Sequence, residues 1–251
     1  MLHKESKKII LVTTTNYKSN SNSDICRSAL ALNLVKEADK FSYPIIIVDE
    51  GSQQKLIDDF RKNHARVYAQ EKKGMGIGRR QVFQLAHDSG EEVIVWVEPE
   101  KDTFIRYIGC CAEQILKGEA ELVIPRRKSL ESYPDFQRDS ETNGNNFFQE
   151  ITGTSIDIFF GPRIFRRNLA HYFTDYDGRY GDLWDSINVP IVEMVFHRER
   201  TREVIVDYEY PMSQSGLESN SPEFYEKRRI QLENTKKSLE GHWNLLKSKT
   251  L

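Results

Sequence analysis

Short runs in which every residue is apolar alternate along the chain with longer stretches of helical periodicity. The clearest runs are Ile9-Ile10-Leu11-Val12, Ile45 to Val48 and Val93 to Val97. Continuous apolar runs of this length predict strands buried on both faces. The first half then reads as a strand at 8–14, a helix at 24–39 capped by Ser23 or Asp24, a strand at 44–49, and a helix after Ser52 containing Leu56, Ile57 and Phe60. A short strand near Arg66-Val67-Tyr68 leads to the glycine-rich Gly74-Met75-Gly76-Ile77-Gly78 and a helix carrying Val82, Phe83, Leu85 and Ala86. Next come a strand at 92–97, a helix to Lys117 and a strand at 120–124. This alternation predicts an α/β fold, a mostly parallel sheet flanked by helices.

The second half is less periodic. Residues 125–146 are polar, with Pro134, Gly144 and three asparagines, and predict a long mobile loop. Beyond it lie an aromatic-rich stretch from Phe147 to Phe173, a helical segment through Trp184 and Val195, and a strand at 203–208. Pro222 to Lys247 predicts one long charged helix with Phe224, Leu232, Leu239 and Leu246 on its apolar side. With no internal repeat and no linker, the expected organisation is one domain over 1–212 and a C-terminal helical extension, 213–251, packed on it.

Composition narrows the function. Lys+Arg total 36 against Asp+Glu 38, a net charge of -2, which argues against a dedicated nucleic-acid binder. A chain of 251 residues can bury a core large enough to need no structural metal or disulfide. Its three cysteines, Cys110 and Cys111 adjacent among them, lack ligand spacing and fit a reducing compartment. No apolar stretch approaches membrane-spanning length, and the one behind Lys4, Lys7 and Lys8 is too short for a signal-peptide core. A soluble, cytoplasmic protein is expected.

Ligands of parallel α/β sheets bind outside the carboxyl ends of the strands, so the residues just after each run are the candidates for a site. Thr13-Thr14-Thr15-Asn16 comes after the first and Asp49-Glu50-Gly51-Ser52 after the second. Glu98-Pro99-Glu100-Lys101-Asp102 continues from 92–97, and Pro125-Arg126-Arg127-Lys128 from 120–124. The glycine-rich loop lacks both the dinucleotide spacing and the phosphate-loop Lys-Ser/Thr ending. It reads either as a flexible entry to a helix or as a close backbone approach to a phosphate, with Arg79 or Arg80 supplying charge. Glu98 and Glu100, two apart, can share a hard cation beside a diphosphate, or form a solvated acidic turn.

The order of these pieces resembles the GT-A nucleotide-diphospho-sugar transferases, family-2-like members in particular. Val48-Asp49-Glu50-Gly51-Ser52 is similar to their second-strand motif, and Gly74 to Ala86 to their G-x-G-x-A-R-x-x-G-x-x-x-A segment. Val95 to Glu100 stands where they keep a metal-binding DxD, and Gly118 to Arg127 resembles the strand after it. Asp157 to Arg167 and Val204 to Pro211 resemble the acceptor-side region and the late strand. The resemblance covers roughly residues 8–212.

The resemblance implies a glycosyltransferase moving a sugar from a nucleoside-diphosphate sugar to a hydroxyl acceptor, with Mg²⁺ or Mn²⁺ assisting departure of the diphosphate. Thr14, Thr15, Asp49, Gly76, Arg79, Arg80, Glu98 and Arg126 would bind the nucleotide sugar. Glu98 and Glu100, with His197 in place of a family histidine that is Tyr210 here, would hold the metal. Asp182 or Asp157 would take the acceptor's proton. Arg163, Arg166 and Arg167 read either as a grip on an anionic acceptor or as a solvated helix face. The C-terminal helix reads as packing over the domain, with a homodimer or membrane-surface role as the other options. The paired glutamates and proline depart from the aspartate pattern, which leaves metal dependence open and keeps a second reading alive: a catalytically inactive GT-A-like protein that binds a nucleotide sugar or a protein partner. A nucleotidyltransferase is disfavoured, because Thr13 to Ser23 contains no glycine.

Overall fold

The apolar runs form the spine of a seven-stranded sheet. A computed structural model describes residues 8–219 and 221–249. Strands β1 (Ile9–Thr15), β2 (Ile45–Asp49), β3 (Arg66–Ala69), β4 (Val93–Trp96), β5 (Leu122–Arg127), β6 (Arg163–Arg166) and β7 (Thr201–Val206) lie in the order β3-β2-β1-β4-β6-β5-β7. The first four are mutually parallel, β7 is parallel to β5, and β6 alone runs antiparallel to both its neighbours.

Because side chains alternate across a strand, β1 feeds two cores. Ile9 and Leu11 join Ile47 and Val95 on one face. Ile10 and Val12 join Ile46, Val48, Ile94 and Trp96 on the other. Helices α1 (Asn22–Lys40), α2 (Gln54–Lys62) and α4 (Ile105–Leu116) cover the first face. Helices α3 (Met75–Ser89), α6 (Ala170–Thr174) and α7 (Asp185–Phe196) cover the second. Helix α1 is capped two residues ahead of Ser23, the nearer expected cap: Ser21 Oγ accepts from the Asp24 backbone N–H at 3.1 Å, satisfying a free N-terminal donor.

Two regions differ from the sequence reading. The loop expected at 125–146 is a strand end followed by helix α5 (Asp135–Thr152). Its asparagines and Gly144 are weak helix formers, but Phe148 is fully buried and Asn145 Nδ2 donates to Asp157 at 2.8 Å. Tertiary contacts hold a helix that local preference would not. The aromatic-rich stretch also hides β6, which places Ile164 in one core and Phe165 in the other. As strand residues, Arg163 and Arg166 are not a solvated helix face. Arg163 is fully buried, and Arg166 pairs with Glu92 at 3.0 Å.

Past α8 (Met212–Glu218), the long helix α9 (Pro222–Lys249) runs over the second face, where Leu239 and Leu246 enter the core. No helix among the described residues is long and apolar enough to cross a membrane.

Candidate active site

The carboxyl ends of β1, β2 and β4 lie side by side, because Thr15 pairs in register with Asp49 and Val12 with Trp96. The residues expected to act together fall into four separate groups around this edge.

At the end of β2, the buried Asp49 organises its own turn. Its Oδ1 accepts from the backbone N–H groups of Gly51 at 2.8 Å and Ser52 at 2.7 Å, and its Oδ2 accepts from Thr15 Oγ1 at 2.6 Å. Thr14 takes the opposite face of β1 and is half-buried.

The second group gathers at the start of α3. Gly76 is closed off by the loop before α7: a Cβ there would come within 1.8 Å of Asp182 Oδ1, and the Gly76 N–H donates to the Asp182 carbonyl at 3.0 Å. Arg80 grips Asp182 with two hydrogen bonds at 2.5 and 2.8 Å. The buried Arg79 donates to the Leu183 carbonyl at 2.7 Å and Ser186 Oγ at 2.9 Å, with Trp96 and Trp184 against its guanidinium. The close backbone approach expected of this glycine is therefore an approach to Asp182.

The third group lies beneath β5. Arg127 is buried between Asp157, at 2.7 and 2.8 Å, and Glu141. Burial pushes the Asp157 carboxyl up, but the Arg127 charge and the hydrogen bonds from Arg127 and Asn145 outweigh it, and the net shift is downward. Arg126 pairs with Glu203 at 2.8 Å.

The fourth group carries the cavity. Glu98 and Glu100, on the turn after β4, line a space of about 120 Å³ with Arg27, Arg163, Trp184 and Tyr210. Glu100 Oε1 accepts from Tyr17 Oη at 2.8 Å and pairs with Arg27 at 2.5 Å. Glu98 Oε2 has no hydrogen-bond partner among the described residues, and Lys101 Nζ stands 4.0 Å from it. Burial draws the Arg79 and Arg163 guanidiniums down to about 10, with Glu98 the largest electrostatic support of each. Tyr210, where the resemblance implies a histidine, donates to Glu218 at 2.9 Å. His197 lies elsewhere, lining a separate cavity with Tyr172, Glu193 and His242.

Sequence reasoning placed Lys101 at this edge without a role and missed Arg27, Lys227 and Arg228. For Arg27 a signal existed in its place on the first helix after β1, but nothing in the sequence linked the last two to a site at the far edge of the sheet.

A search of solved structures places this architecture. Glucosyl-3-phosphoglycerate synthase of Mycobacterium tuberculosis superposes with a TM-score of 0.66 over 96% of this chain and 85% of its own, at 12% identity. The fold is that of the GT-A nucleotide-sugar transferases. A Desulfovibrio desulfuricans G20 protein assigned as a nucleotide-diphospho-sugar transferase has the same fold at a TM-score of 0.53, with 11% identity over 90% of this chain and 96% of its own. The mycobacterial enzyme in complex with Mn²⁺, UDP-glucose and glycerol 3-phosphate matches at 0.65, with 13% identity over 96% of this chain and 84% of its own. No protein-family profile and no curated protein matches the sequence significantly.

The GT-A fold invites a test of fit for a divalent cation. Such ions take six or more hard oxygen ligands, several of which water or a bound phosphate can supply. The described residues contain no group of three or more His, Cys, Asp or Glu side chains able to hold one by protein ligands alone, so the fit turns on whether the two glutamates are free. Glu100 is committed to Arg27 and Tyr17, and the charge of Glu98 is already balanced by Lys101 and the two buried arginines Arg79 and Arg163. Gly161 seals the other side of Glu98, since a Cβ there would lie 1.8 Å from its Oε1. The donor set does not fit a divalent ion.

Proposed function

We propose that the chain transfers a sugar from a nucleoside-diphosphate sugar to a hydroxyl acceptor, using the cavity at the carboxyl ends of the strands. The observation that carries this reading is the cavity itself. It sits on the turn after β4, at the edge where ligands of open α/β sheets bind, and combines Glu98 and Glu100 with Arg27, Lys101 and Trp184.

In this reading the chain does four things. The turn set by Asp49 and Thr15 frames the nucleoside end of the donor, while the cations of the cavity face the negative charge that builds on the leaving diphosphate. Glu98 Oε2 accepts a hydrogen bond from a hydroxyl of the sugar or the acceptor. Trp184, beside the cavity, gives the sugar an apolar face to lie on. Small phosphorylated acceptors, of the kind named with the mycobacterial enzyme, are the first to try, because the cavity wall is cationic.

One observation favours the second reading, a nucleotide-sugar binder without transferase activity. Asp182 and Asp157, the proposed bases, are each held by an arginine. The test is a thermal-shift screen against UDP-, GDP-, ADP- and CMP-sugars, followed by a nucleotide-release assay with phosphorylated acceptors. A ligand that binds only the folded state raises the melting temperature. A shift with one donor plus acceptor-dependent release supports the transferase, a shift without release supports the binder, and no shift with any donor removes both.

A further inference from the structure

Of the four carboxylates that line the cavity, Glu100 pairs with Arg27, Glu141 with Arg127, and Glu218 accepts from Tyr210 and Gln214, while Arg27, Lys101, Arg163, Lys227 and Arg228 line the same space. From the sheet side, Arg27 pairs with Glu100 and Lys101 stands next to Glu98. The opening turns of α9 bring Lys227 and Arg228 to the same cavity. Among the described residues neither forms an ion pair with a carboxylate. Lys227 rests over the Phe224 ring at 5.8 Å, and Arg228 donates to Gln231 at 2.9 Å. Partial loss of solvent and the charges of Arg27 and Arg228 lower the Lys227 ammonium from its usual range, against the opposing pull of Glu218 and Glu100.

Arg27 and Lys101 have Glu100 and Glu98 as counter-ions, but Lys227 and Arg228 have no paired carboxylate of their own among the described residues, and a dianion beside them would remove their mutual repulsion. A divalent ion in the same place would instead stand beside Arg27 and Lys101 and compete with them for the two glutamates, so the charge balance favours an anion over a second cation.

We propose that this site binds the diphosphate of its donor without a divalent cation, on Arg27 together with Lys227 and Arg228 of the C-terminal helix. The proposal rests on the nucleotide-sugar reading for the identity of the donor, but its anion chemistry can be tested apart from it. Guanidinium groups suit phosphate oxygens because they donate in a fixed fork, and the same groups would stabilise the leaving diphosphate. The C-terminal helix is thereby part of the donor site.

The experiment is calorimetric titration of the full chain with inorganic pyrophosphate and with UDP, GDP and ADP, each in EDTA and in Mn²⁺. It is repeated on Lys227→Gln/Arg228→Gln, two residues at the helix surface whose replacement spares the core. The expected result is pyrophosphate binding of similar strength in EDTA and Mn²⁺, weakened by about tenfold or more in the double variant, since each charged hydrogen bond lost is worth about that factor. Binding only in Mn²⁺, no pyrophosphate binding in either buffer, or an unchanged affinity in the double variant overturns the proposal. Pyrophosphate bound in EDTA while every nucleotide fails would uphold the anion site and sink the nucleotide-sugar reading. A nucleotide bound only in Mn²⁺ would do the reverse.

Discussion

Arg127 shows how a single residue can serve the fold where a site was expected. Its guanidinium is buried between Asp157 and Glu141 and lies against the Tyr133 and Phe160 rings. Removing one partner of such a cluster is costlier than never having formed it, because the remaining charges stay buried and unpaired. Arg127→Met should therefore destabilise the protein by about 3–5 kcal/mol in urea unfolding; a loss under about 1 kcal/mol would mean that water reaches the two carboxylates. The pH dependence has a definite sign. The folded Asp157 carboxyl titrates below its unfolded value of about 3.9, so its contribution is full above that value and disappears as pH falls through the lower, folded one. The melting temperature of Asp157→Asn should lie below that of the unmodified chain at pH 7, and the gap should narrow towards pH 3. A gap independent of pH would mean that the carboxylate charge contributes nothing.

Helix α5 is the element on which local preference and tertiary structure disagree most. A Cβ on Gly144 would come within 2.3 Å of the Phe159 ring. Helix propensity alone favours alanine there by about 1 kcal/mol, whereas overpacking costs about 1–3 kcal/mol. Gly144→Ala should come out destabilising, by about 1 kcal/mol, in chemical denaturation; a more stable variant would show that Phe159 can swing aside. Strand β6 is a related case. Two apolar residues between two arginines, Arg163-Ile164-Phe165-Arg166, look like loop or helix when read alone. They become a strand because β4 and β5 offer facing edges on either side.

For the molecule as a whole, the C-terminal helices cover apolar core and site together. Leu239 and Leu246 pack in the same cluster as Ile187, Ile191 and Phe148, while Lys227 and Arg228 close the cavity. A chain ending at residue 212 should lose several degrees of melting temperature and bind a hydrophobic dye, because the face of α7 and α5 would be left bare. An unchanged melting temperature and no dye binding would show 1–212 to be self-sufficient. The strands β1, β2 and β4, and the rule that ligands meet them at their carboxyl ends, were legible because a strand buried on both faces must be apolar throughout. That alone located Asp49, Glu98 and Glu100 at one edge. Which cations answer those carboxylates was not legible: Arg27 reaches Glu100, Arg80 reaches Asp182, and Lys227 and Arg228 arrive from the end of the chain. Hydrophobic burial leaves a periodic mark on sequence, so the apolar pattern was enough to specify strands β1, β2 and β4, the helices α1 to α4 that cover them and the edge that carries the site, but not β6 or α5. Charge pairing between distant segments leaves no such mark. That the glutamates face protein cations, and that the last helix closes the cavity, emerged from the folded arrangement alone.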